Sequence, residues 1–111
     1  MIRLFAVAAL ALALSAPVTA QDALGDKLAE SRLRGCLLAG ASGTGQTQLE
    51  AAVIQTRAYC GAQIGRVQAL RIAAATRGLS GNDAAAAKTR AIRDLNTEIA
   101  QAVANFTGLT P

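Results

Sequence analysis

The chain contains no histidine and no tryptophan, and aromatic residues make up 3% of its composition. Histidine is the usual base that activates a cysteine or serine nucleophile, and it is a common ligand of zinc. Its absence therefore removes the main routes to hydrolytic and metal-dependent catalysis. The shortage of aromatic rings also argues against nucleic-acid binding, because single strands are held largely by bases stacking on such rings.

Proline is almost as scarce, since the chain has only Pro17 and Pro111. Hydrophobic residues make up 52% of the composition, many of them alanine. Proline interrupts helices, and none lies between Pro17 and Pro111. From the helical patterns described below, we predict an all-α fold that forms a single helical domain over residues 21–111.

Residues 1–20 have the pattern of a secretory signal peptide. Arg3 supplies the positive charge, residues 4–14 form a short apolar run, and Val18 and Ala20 put small residues at the −3 and −1 positions of a cleavage site. The run is too short to cross a bilayer comfortably, which takes about 20 residues. We expect cleavage after Ala20 and a periplasmic or secreted protein. The alternative is that the segment is retained as an N-terminal anchor.

The two cysteines, Cys36 and Cys60, form an even count in a chain predicted to be exported. Such a pair indicates a disulfide. Closing a loop of this size stabilises a fold by roughly 3–4 kcal/mol in the chain-entropy model. We predict an intramolecular bridge; an intermolecular bridge or two free thiols are the alternatives.

Three helices are predicted, over about residues 22–39, 47–77 and 83–105. The first has Asp22 as a candidate N-cap. Its apolar residues fall on two faces, with Leu24, Leu28 and Leu38 on one and Leu33, Cys36 and Leu37 on the other. We therefore expect the first helix to be buried on two sides or to break near Gly35.

The second helix is predicted to be long and unbroken. Thr47 and Glu50 have the spacing of a capping box at its start. One apolar stripe runs along it at helical spacing, made of Leu49, Val53, Thr56, Cys60, Ile64, Val67 and Ala74.

The third helix repeats apolar residues every three or four positions, at Ile92, Leu95, Ile99, Ala102 and Phe106. Only a short turn separates it from the second helix. We expect these two helices to form a long antiparallel hairpin, with the first helix attached through Cys36–Cys60.

A second face of the long helix carries small residues, Ala58, Gly61 and Gly65. Small residues let another helix approach closely. We predict that this face is a docking surface for a helix, either from within the chain or from a second copy.

Positive charge is concentrated in the second helix. Residues 21–111 hold ten basic and seven acidic residues, and the excess lies at Arg57, Arg66, Arg71 and Arg77. Arginine binds carboxylates and phosphates in a bidentate manner. These four residues are therefore candidate contacts for an anionic partner, either a protein or a membrane surface; the alternative is that they form an ordinary solvated helix face. A net charge of +3 is too modest to favour nucleic acid.

The remaining motifs do not form a recognisable catalytic, nucleotide-binding or haem-binding site. Residues 40–47 have P-loop spacing, but Gln46 stands where the phosphate-binding lysine belongs. Lys27 and Ser31 are one helical turn apart with no oxyanion hole evident, and Asp94 and Glu98 lie among arginines on a solvated face. There is no C-x-x-C-H sequence for haem attachment. We predict no enzymatic activity, cofactor or metal.

The sequence thus predicts an exported helical module that binds other proteins, as a hetero- or homo-oligomer. The alternative is a module associated with the envelope or a membrane surface, binding anionic groups through the arginines of the second helix.

Overall fold

The computed structural model describes residues 16–111, with side chains from residue 22 onward, and every regular element in that part of the chain is an α-helix. The all-α prediction is confirmed. The predicted number of helices is wrong, because the described chain has four instead of three. They are α1 (Ala16–Ser42), α2 (Leu49–Tyr59), α3 (Gly61–Thr76) and α4 (Gly81–Thr107).

The additional helix arises from a break at Cys60, in the middle of the predicted second helix. Cys60 has φ −102° and ψ 19°, outside helical geometry. The break is confined to one residue, since Cys60 N–H still donates to Thr56 O and Ile64 N–H to Cys60 O, both at 2.9 Å. Gly61, a poor helix former, follows directly, and the bond to Cys36 ties Cys60 to α1. The apolar stripe keeps its direction across the break, with Thr56, Cys60, Ile64 and Val67 buried, but Ala74 is exposed.

The first helix is longer than predicted at both ends. It includes residues 16–20, so Asp22 lies inside the helix and does not cap it. It also runs through Gly35 without a break and continues to Ser42. Residues 1–15, which hold most of the predicted signal peptide, lie outside the described residues.

Helix α1 packs antiparallel to the α2–α3 unit. Along α1 and the α2–α3 unit, Ala41 packs near Ala52, Cys36 is bonded to Cys60, and Glu30 pairs with Arg71. In these three contacts the residue numbers decrease along α1 as they increase along α2 and α3, so the directions are opposite. Helix α4 returns beside α3, and the main core joins α1, α3 and α4, comprising Ala29, Leu33, Leu37, Cys60, Ile64, Val67, Leu95 and Ile99.

The turn between α3 and α4 is set by glycine. Gly78 has φ 75° and follows the last turn of α3, the left-handed position that favours glycine after a helix. At the other end of the α2–α3 unit the predicted capping box does not form. Gln48, not Thr47, precedes α2, and its side chain makes no capping bond.

Candidate functional site

The disulfide joins α1 to the junction of α2 and α3. Cys36 and Cys60 are bonded, with Cα atoms 5.9 Å apart, so the intramolecular pairing is confirmed. Gly40, one turn further along α1, lies against the same junction. A Cβ at Gly40 would come within 3.0 Å of Tyr59 Cδ1 and 3.1 Å of Thr56 Cγ2. Glycine therefore allows α1 to approach closely enough for the bridge.

Thr56 is the polar residue beside this junction. It is fully buried, and its Oγ1 has no hydrogen-bond partner. A buried hydroxyl without a partner costs roughly 1–3 kcal/mol. The predicted helix stripe includes Thr56, and the residue is buried as that stripe requires.

Arg71 links three helices. Its guanidinium donates to both carboxylate oxygens of Glu30 on α1 at 2.9 Å, and it forms a 2.7 Å ion pair with Glu98 on α4. The hydrogen bond from Arg71 holds the pKa of Glu30 below its ordinary value, although partial burial opposes this. The same bond raises the pKa of Arg71. This cluster borders a cavity of about 200 Å³ whose wall includes the core residues Leu33, Leu37, Leu95 and Ile99.

The four arginines predicted as candidate contacts for an anionic partner lie in different surroundings. Arg71 is engaged by two carboxylates of its own chain, and Arg57 donates to Asn96 Oδ1 on α4 at 3.1 Å. Arg66 lies on the other side, next to α1, and lines a small cavity with Arg32. Arg66 and Arg77 are exposed and form no salt bridge within residues 22–111.

The predicted docking face, Ala58, Gly61 and Gly65, is exposed. A Cβ added at Gly61 or Gly65 would meet no atom within 4 Å. No helix of the described chain therefore packs on these glycines. Ile54, on the same side of α2, is 62% exposed and extends this face toward the start of the helix.

The described side chains offer little for catalysis or metal binding. Within residues 22–111, no group of three or more Cys, Asp or Glu side chains is placed to hold a metal ion. Lys27 and Ser31 are both exposed on α1, Asp94 is exposed beside Arg93, and Glu98 is bound to Arg71. Among the helices described, none is both long enough and apolar enough to cross a bilayer.

The fold and these surfaces define a disulfide-linked, all-α domain. Comparisons of the chain with models of protein families, with curated proteins and with solved structures found no match.

Proposed function

We propose that the protein is an exported, non-enzymatic module that acts by binding a helix of another protein. The observation that carries this proposal is the exposed face of Ala58, Gly61 and Gly65, called here the small-residue face. A glycine inside a helix costs up to about 1 kcal/mol relative to alanine. Gly61 begins α3 after the break at Cys60, but Gly65 lies inside α3, and the open space above it gives no reason within the described chain to favour glycine there.

A helical partner would account for these residues. Where two helices cross at glycine or alanine, their backbones come close together and gain many van der Waals contacts. Ile54 at the edge of the face adds exposed apolar area that such a partner would cover. The Cys36–Cys60 bridge supports the proposed export, because structural disulfides are typical of oxidising compartments.

Site-specific photocrosslinking in the producing cell tests this function. A photoreactive amino acid replaces Ala58 on the face or, as a matched control, the exposed Ala85 on α4. We expect an adduct of discrete mass from position 58 and none from position 85. A mass twice that of the monomer would identify a second copy as the partner.

A second variant tests whether the adduct depends on the small-residue face. Gly61→Leu with Gly65→Leu places bulk in open space, so it should leave the fold intact by circular dichroism and still remove the adduct. An unchanged adduct in this variant, or equal adducts at both positions, would contradict the proposal. Absence of any adduct would contradict it as well.

The arginines of the α2–α3 unit are less suited to form one anionic-partner site than the sequence predicted. Arg57 and Arg71 are bonded to α4 residues, while Arg66 lies beside α1. A membrane-associated function would therefore draw on a different basic surface.

A further inference from the structure

Helix α1 has a second apolar face that the core does not cover. Leu24 is 68% exposed, Leu28 48% and Leu38 49%. At about 3.6 residues per turn these leucines fall along one line of the helix, with Ser31 and Gly35 between them. The line lies opposite Leu33, which is in the core. We call it the outer leucine line.

The positively and negatively charged residues of α1 lie on different sides of the helix relative to this line. At about 100° per residue, the cations Lys27, Arg32 and Arg34 all lie within roughly 80° of it. The acidic residues of α1, namely Asp22, Asp26 and Glu30, lie roughly 120° or more away, toward the other side of the helix. The outer leucine line is therefore flanked on both sides by positive charge and on neither side by carboxylates of its own helix.

Residues of the neighbouring helices extend this basic surface. Arg66 of α3 joins Arg32 at a cavity of about 180 Å³ between the two helices, and the cavity wall contains no carboxylate. On the side of the line where Arg34 lies, Glu30 and Glu98 border the same cavity as Arg34, but both carboxylates are bound to Arg71.

We propose that the outer face of α1 binds the surface of an anionic lipid bilayer. Leu24, Leu28 and Leu38 enter the boundary between headgroups and acyl chains, while the flanking cations contact lipid phosphates. This is the geometry of an interfacial helix, which lies in the plane of the membrane and does not cross it. Each cation near an anionic surface strengthens binding by roughly fivefold.

A bilayer fits this surface because cations border the leucines on both sides, and an anionic bilayer presents phosphates on both sides of any apolar segment that enters it. Acyl chains also adapt to a row of leucines without a matching shape. The bond between Cys36 and Cys60 attaches α1 to the bundle, so the helix and its outer face are already formed before binding. The surface does not include the small-residue face, and the proposal stands independently of the proposed function.

The absence of tryptophan in the chain allows a direct test. Leu28→Trp puts one tryptophan on the outer leucine line, and Ala85→Trp puts one on the exposed side of α4 as the control. Each oxidised variant, in the processed form of residues 21–111, is mixed with phosphatidylglycerol-containing vesicles that carry bromine on their acyl chains. We expect a blue shift and quenching of emission for Leu28→Trp and neither change for Ala85→Trp.

Charge variants in the Leu28→Trp background complete the test. Lys27→Glu with Arg34→Glu should weaken lipid binding by roughly tenfold or more, whereas Lys88→Glu with Arg90→Glu on α4 should change it little. Absence of quenching, or equal quenching on neutral phosphatidylcholine vesicles, would overturn the proposal. So would a shift with inorganic phosphate alone, which indicates a small-anion site, or a concentration-dependent shift without vesicles, which indicates a second copy.

Discussion

Gly40 and Gly65 are both helical glycines, but their surroundings are opposite. A Cβ at Gly40 would press on the buried Thr56, whereas a Cβ at Gly65 would enter open space. We expect Gly40→Ala to destabilise the fold by roughly 1–3 kcal/mol through overpacking at the disulfide junction. Gly65→Ala should stabilise it by roughly 0.5–1 kcal/mol through helix propensity. Thermal unfolding of the two variants measures the difference, and shifts of the same sign would contradict the packing at Gly40.

The unpaired hydroxyl of Thr56 leads to a second prediction at the same scale. Thr56→Val keeps the shape of the side chain and removes a buried polar atom that has no partner. We expect a gain of about 1 kcal/mol in the free energy of unfolding. Thr97→Val on α4 is the control, because the Thr97 hydroxyl is exposed and donates to Arg93 O. A loss of stability in Thr56→Val would mean that the hydroxyl is hydrogen-bonded in solution.

At the scale of helices, the Arg71 cluster makes the packing of α1 against α3 sensitive to acid. The lowered pKa of Glu30 means that the unfolded chain binds its proton more readily than the folded chain. Stability from this pair is therefore complete above the unfolded pKa of a glutamate and is lost as the pH falls through the lower folded pKa.

Arg71→Met should test this contribution. We expect it to lower the free energy of unfolding by about 1 kcal/mol at neutral pH, a modest value because the charged groups are partly exposed. The difference from the native chain should shrink as the pH is lowered below about 4. Arg66→Met, which removes an exposed arginine without a salt bridge within residues 22–111, should show no such convergence in urea titrations. A constant difference at every pH would contradict the Glu30–Arg71 assignment.

Helical periodicity predicted Leu95 and Ile99 of α4 as core residues, and both are buried. Ala87 and Val103 are buried on the same helix but lay outside the predicted seam. It also placed Cys60 on the buried stripe. It could not predict the break at Cys60, because a one-residue interruption leaves the spacing of apolar residues nearly unchanged. Proline, the usual sequence signal for such a break, does not occur between Pro17 and Pro111.

The faces of α1 show a second limit of sequence reasoning. Two apolar faces were evident, but periodicity cannot tell which one the protein covers. The structure buries the face of Leu33 and Leu37 and leaves Leu24 exposed. The Arg71 cluster was likewise beyond prediction, because Glu30 and Arg71 are 41 residues apart and meet only through tertiary packing.

At the scale of the whole molecule, the Cys36–Cys60 disulfide joins helices whose shared core contains many small side chains. Alanines hold several buried positions, including Ala29, Ala41 and Ala52, and such small side chains bury little apolar area each. The bridge between α1 and the α2–α3 junction adds stability that this core does not supply. Both proposed surfaces, the small-residue face and the outer leucine line, depend on the helices that it joins.

We propose that the chain is exported, processed at Ala20 and oxidised to form the Cys36–Cys60 bridge of this helical fold. Intact-mass spectrometry of the protein recovered from its producing cells, without reduction, tests it most directly. We predict a monomer with the mass of residues 21–111 less two hydrogen atoms, and a gain of two hydrogens after reduction. A chain that retains residues 1–20, two free thiols or a covalent dimer would contradict the account.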